Sequence, residues 1–141
     1  MSAKLKRYVL REEEDYFSNT FGIVCSKPLV ELVWNINKQL SLSLQRDEDI
    51  EGSRNGIEDF WPLFFFRDES LETDYQLVQN KGLENVLAPE LRNADFFLIE
   101  TNHNLTFGIN QKNISSVKFV DFCFPIEQNN LKPETRNLLK I

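Results

Sequence analysis

Two carboxylates offer the chain its simplest route to chemistry: Glu90 and Asp95, in the frame APELRNADF at residues 88–96. Brought together in a cleft that separates their proton affinities, such a pair serves as general acid and general base. The other reading is geometric. Proline suits the first position of a helix, so Pro89 opens a single turn with Glu90 near its positive end, and Asp95 caps or turns the chain before Phe96 enters a sheet. The geometric reading is favoured, because no activated nucleophile, glycine-rich phosphate loop or His-carboxylate metal spacing accompanies the pair. No catalytic residue is therefore assigned. The chain is expected to bind an as yet unspecified protein or small molecule, the alternative being a carboxylate-dependent enzyme that uses Glu90 and Asp95.

Four other stretches invite a chemical role. DEDIEGSRNGIE, from Asp47 to Glu58, places Asp47, Asp49, Glu51, Gly52 and Glu58 at ligand and turn positions of a calcium loop. Glu51 is long for its position, Arg54 stands where such loops carry an aliphatic residue, and DFWPLFFF replaces the exiting helix, so the stretch reads as a solvated acidic loop. KFVDF (118–122) shares its Phe-Val-x-Phe end with the first ribonucleoprotein motif of RNA-recognition domains, but half the motif is missing. His103, the only histidine, has no neighbouring nucleophile and reads as a loop residue. Cys25 and Cys123 form no C-x-x-C pair and lie in apolar runs, as buried thiols do; no metal or cofactor is expected.

Composition narrows the partners. A net charge of −6, with the sixteen basic residues scattered, disfavours a surface that tracks phosphates, so no nucleic-acid partner is expected. No apolar run reaches the length of a membrane span, and MSAKLKRYVLREEED lacks the apolar core of an export signal. The expectation is a cytoplasmic protein without a membrane partner. Its two Asn-x-Ser/Thr triplets, at Asn104 and Asn113, are then chance matches.

The elements that would position these residues follow from hydrophobic period. A length of 141 residues suits one domain, 1–141. Residues 1–18 read as an edge strand followed by an acidic loop, and residues 127–141 as a short amphipathic tail. Phe21, Ile23 and Cys25 alternate as in a buried strand. Leu29, Leu32, Val33, Ile36 and Leu40 mark a helix, with Ser26 as cap and Pro28 in its first turn. Leu42 and Leu44 suggest a strand end before the acidic loop. FWPLFFF reads as a strand buried on both faces, kept partly off central pairing by Pro62, and DYQLVQ as its antiparallel neighbour. ADFFLIE reads as another strand. VKFVDFCFP reads as the last, with Val120, Phe122 and Phe124 on one face and Asp121 on the other. Between them residues 104–114 read as a second helix, with Leu105, Ile109 and Lys112 on one face. The fold class is α+β: one mainly antiparallel sheet in a split βαβ, plait-like arrangement. Plait-like domains joined edge to edge into a ligand-sensing homodimer are a further expectation, because sheet edges need partners or protection.

The frame at 88–96 also resembles the one that names the IPExxxVDY family of small bacterial proteins. Pro89, Glu90 and Asp95 stand where its Pro, Glu and Asp stand, whereas Ala88, Ala94 and Phe96 replace its Ile, Val and Tyr. WNINKQLSLSLQR (34–46) is similar to that family's helix, with an Asn near its end and a Leu just past it. The resemblance implies an intracellular bacterial α+β domain with Pro89, Glu90 and Asp95 as motif residues. It implies no activity, since that family has none assigned.

The calcium lookalike generates a direct test. Residues 47–58 are expected to bind calcium no more tightly than about 1 mM, against roughly 0.1–10 µM for sensor loops. A saturable micromolar isotherm in titration calorimetry, lost in Glu58→Gln, would contradict this.

Overall fold

The computed structural model describes residues 17–103 and 108–141, so the edge strand expected before residue 17 and Leu105 lie outside the described residues. In chain order come β1 (Phe17–Val24), α1 (Leu29–Leu40), β2 (Gln45–Arg46), β3 (Ile50–Arg54), β4 (Ile57–Trp61), β5 (Leu63–Asp68) and β6 (Thr73–Gln79). A 3₁₀ turn (Pro89–Leu91), β7 (Phe96–Asn102), α2 (Gln111–Ser115), β8 (Phe122–Ile126), a second 3₁₀ turn (Gln128–Asn130) and α3 (Pro133–Leu139) follow. Six strands form one sheet in the order β2-β5-β6-β7-β1-β8, and β3 and β4 form a separate ribbon. Every pairing is antiparallel. It follows that β7 and β8, both antiparallel to the β1 between them, run parallel to each other and are joined through α2. This is the split βαβ unit of the expected α+β fold.

Alternation sends each strand's side chains to two different cores. On one face Phe21, Ile23, Tyr75, Leu77, Phe96, Leu98 and Cys123 meet α1 through Leu29, Leu32, Val33 and Ile36, and meet Ile114 of α2. On the other, Val78, Phe97, Ile99 and Phe124 meet Trp61 of β4, segment 87–94 and the Leu138–Leu139 end of α3. The sheet is therefore a middle layer, and its centre, β7, is buried from Phe96 to Glu100. The C-terminal residues read as a tail are part of this packing: Leu139 is buried and Thr135 wholly so.

Several local expectations are corrected. Ser26 does not cap α1; Pro28 occupies that position, where its apolar ring can accept no hydrogen bond and its carbonyl takes the amides of Glu31 and Leu32. The acidic stretch is not an open loop. It contains the β3–β4 hairpin, turned by Asn55 (φ 56°) and Gly56 (φ 76°), the left-handed pair that a two-residue hairpin turn requires. FWPLFFF is not one strand buried on both faces. Pro62 has no N–H to share, so the chain breaks there into β4, on the ribbon, and β5, in the sheet, whose phenylalanines are only half buried. In the last strand Phe122 and Phe124 share a face, their rings stacked at 5.8 Å, with Phe124 in the second core and Phe122 exposed, while Cys123 faces the α1 core; Val120 and Asp121 precede the strand. The second helix starts only at Gln111, where Asn110 and Asn113 form a reciprocal capping box.

The β8 edge of the sheet is blunted. Pro125 has no N–H to offer, and the Cys123 carbonyl is already taken by the Gln111 side chain at 2.7 Å. On its inner side β8 approaches β1 closely, because the Phe124 ring lies over Gly22, where a Cβ would sit 2.5 Å from it. Gly22→Ala is thus expected to destabilise the fold by about 1–3 kcal/mol, as overpacking does, with Phe124→Leu recovering part of the loss. Urea unfolding of the two single variants and the double variant measures this. Additive losses would show that the ring contact is not the cause.

Candidate functional site

The frame at 88–96 is wrapped around one side chain that its own letters do not include. Asn80, wholly buried at the end of β6, accepts the Ala88 N–H at 2.9 Å and donates to the carbonyls of Leu91 (3.1 Å) and Ala94 (2.9 Å). Its backbone is bound as well, to the Asp95 carbonyl and the Leu87 N–H. Ala88 and Ala94 are both fully buried, so their small size lets the turn close on the amide. Pro89 opens the 3₁₀ turn, as its fixed φ suits.

The two carboxylates of the frame have separate partners. Glu90 accepts the N–H of Lys132, which precedes α3, at 2.9 Å. Burial alone would raise its pKa, but this bond, its own N–H, the Thr135 hydroxyl and the nearby Arg54 charge hold it below the ordinary carboxylate value. Asp95 accepts the N–H of Cys25 at 2.9 Å, donates its own N–H to the Ile23 carbonyl, and has Lys81 3.6 Å away. Glu90 therefore seats α3, and Asp95 ties the end of β1 to the start of β7.

Two further carboxylates, neither singled out by sequence, are more deeply buried. Asp59 is 2% exposed and accepts four main-chain N–H groups at 2.8–3.0 Å, from Phe60, Leu83, Glu84 and Asn85. Burial by itself would raise its pKa, yet those four bonds outweigh it and pull the value down to about 2. Gly82 fits only because it lacks a side chain, as a Cβ there would lie 2.6 Å from the carboxylate. The loop so fixed presents Leu83 to solvent at 86% exposure and borders a cleft of about 290 Å³ with Lys81, Pro89 and Arg92. Glu100, on β7, is 1% exposed and accepts from the Asn19 side chain (3.1 Å) and the Ile109 N–H (3.0 Å). Gly108 passes against it. Tyr75 lies opposite in the β6–β7 register; burial raises its phenol pKa, and the Glu100 carboxylate raises it further. Among the described residues neither Asp59 nor Glu100 is in a salt bridge.

The remaining sequence candidates are dispersed. The twelve residues from Asp47 to Glu58 run into the extended hairpin, with Glu58 paired across to Ser53, and Asp49 engaged by Arg46. Among the described residues no group of three His, Cys, Asp or Glu is gathered as metal ligands. Lys118 to Asp121 precede β8, and Phe119 has φ 79°, so KFVDF is a turn leading into a strand. His103 lies 3.6 Å from Asp74, itself held by Arg67. Cys25 and Cys123 are free and buried; burial raises the pKa of both thiols, Cys123 to about 11. Both are thus poor nucleophiles at neutral pH.

What fold and site define together is an α+β domain whose carboxylates are built into its framework. Comparison of the chain with family models, with curated proteins and with solved structures finds no match.

Asp59 gives the test of this arrangement. Its folded pKa lies below the ordinary 3.8, so the stabilisation is present above about pH 4 and is lost as pH falls through 2. Asp59→Asn, which points an amide at N–H donors, is expected to lose at least about 2 kcal/mol at pH 7. It should also show a shallower decline than wild type between about pH 4 and 2. Equal stability of the two proteins at neutral pH, by urea denaturation, would remove the framework role.

Proposed function

We propose that this protein is a non-enzymatic interaction domain that binds another protein surface through the outer face of α1. The observation that carries the reading is Trp34. It is 61% exposed in the middle of α1, one turn from Val30 at 69%, on a helix whose inner face is fully packed. Leaving two large apolar side chains in water forgoes on the order of 1.5–3 kcal/mol each. Tryptophan is also the residue most enriched where interfaces concentrate their binding energy. Lys38 lies 4.8 Å from the Trp34 ring.

The use of Glu90 and Asp95 as acceptors for main-chain amides weighs against the carboxylate-dependent enzyme. Two buried, unpaired thiols are in keeping with a reducing compartment such as the cytoplasm. Among the described residues no helix is long and apolar enough to cross a membrane. The likeness of the 88–96 frame to the IPExxxVDY family is compatible with a bacterial, intracellular role.

A photo-cross-linking amino acid placed at position 34 tests the reading in intact cells. Discrete protein adducts are expected, together with their absence when the same group replaces the exposed Leu71 on the far turn. A folded protein that gives no adduct from position 34 sinks the proposal.

A further inference from the structure

We infer that the occupant of the Trp34 face is a second copy of this chain, docked α1 against α1 in antiparallel orientation; the inference rests on the reading of that face as a docking surface. The argument is the placement of charge about Trp34. Glu31 lies three residues before it and Lys38 four after, and both are exposed. At 100° and 1.5 Å per residue they fall on the same flank of the Trp34 line, roughly 60° and 40° around the helix. Along the axis they stand about 4.5 Å below it and about 6 Å above it.

A two-fold axis that passes beside Trp34, perpendicular to the helix, preserves the flank and inverts the height. It therefore sets Glu31 of one copy against Lys38 of the other, and Lys38 against Glu31, with the two tryptophans packed between the pairs. Val30 falls on the opposite flank and extends the apolar contact. Such self-complementarity is what an isologous interface requires. Among the described residues neither Glu31 nor Lys38 is committed to an ion pair inside its own chain.

Two other observations favour this contact over the edge-to-edge dimer. The β8 edge offers little to pair with, for the reasons given by Pro125 and by Gln111 on the Cys123 carbonyl. At the opposite edge β2 already covers Phe64 and Phe65 of β5, leaving a short strand end that carries Arg67 and Asp68. With a net charge of −6, two copies repel unless the surfaces that meet place opposite charges together. The α1 face does so. A contact of one helix face is small, and association on the order of tens of micromolar is expected.

The test is a charge swap read by analytical ultracentrifugation from about 1 to 500 µM, the range that brackets such an affinity. Wild type is expected to be a reversible dimer. Glu31→Lys alone and Lys38→Glu alone each place like charges face to face and should weaken self-association at least about tenfold. An equimolar mixture of the two should associate as tightly as wild type, and so should the double variant that carries both changes. Trp34→Ala should be monomeric. Near-ultraviolet circular dichroism, dominated by the buried Trp61 and Tyr75, checks that each variant is folded. A wild type that stays monomeric throughout, or a mixture no tighter than its single components, overturns the inference. If adducts from position 34 then contain another protein, the interaction-domain reading stands without a second copy; if there are none, both fall.

Discussion

The structure depends on main-chain N–H groups being satisfied by carboxylates and carboxamides that come from elsewhere in the chain. Asp59 holds loop 82–85, Glu100 holds Ile109, Asp95 holds Cys25, Glu90 holds Lys132, and Asn80 holds the turn from Ala88 to Ala94. The Asp95–Cys25 contact extends the β1–β7 pairing past its last rung, and the others fasten irregular chain that lies outside any strand ladder. A buried carboxylate without a cation is costly, and what offsets the cost is the number of donors: four for Asp59, at 2.8–3.0 Å. The acidic character of the chain is in part structural, not only a solubilising surface.

This constraint explains why the sheet is buried on both faces without being long. α1 and α2 cover one side by ordinary apolar packing. The other side is covered by irregular chain, segment 80–95, whose polar backbone could not be buried against Phe97 and Ile99 unless its amides and carbonyls had partners. Asn80 and Asp59 supply them. The ribbon and α3 then close over what remains, with Trp61 donating its indole N–H to the Asn85 carbonyl at 3.2 Å.

How much of this the sequence discloses follows from how local each cause is. The β1 alternation Phe21, Ile23, Cys25 and the α1 stripe Leu29 to Ile36 are local patterns and were legible, as were the class of fold and the positions of Pro89, Glu90 and Asp95. The β3–β4 hairpin was obscured because its outward residues are Glu51, Ser53, Glu58 and Phe60 around a charged turn, and charge there was read as loop. In β8 the shared face of Phe122 and Phe124 is legible from their spacing, but Phe122, Cys123 and Phe124 are all apolar, so period two does not disclose that Cys123 packs against α1 and Phe124 on the other side. Asp59, Asn80 and Glu100 could not be recognised, since three of the four donors to Asp59 stand 24–26 residues away and Glu100 and Asn19 stand 81 apart. Glu100 alone leaves a local signal, a charged residue that follows the apolar run Phe96–Ile99 within one strand.

The two tryptophans mark where the framework ends. Trp61 has no exposed surface, its ring lies in the second core, and its one polar atom is bound. Trp34 contributes nothing comparable to the fold, for α1 is already anchored by Leu32 and Ile36, both fully buried, and by Asn37, whose amide clasps the backbone of Leu44 from both sides at 2.9 and 3.1 Å. A helix fixed so firmly on its inner side presents its outer side with little ordering left to lose, which lowers the entropic cost of docking there. On the proposed reading, stability and recognition are divided between opposite faces of one helix: the inward residues set its position, and the outward ones are left to meet a partner.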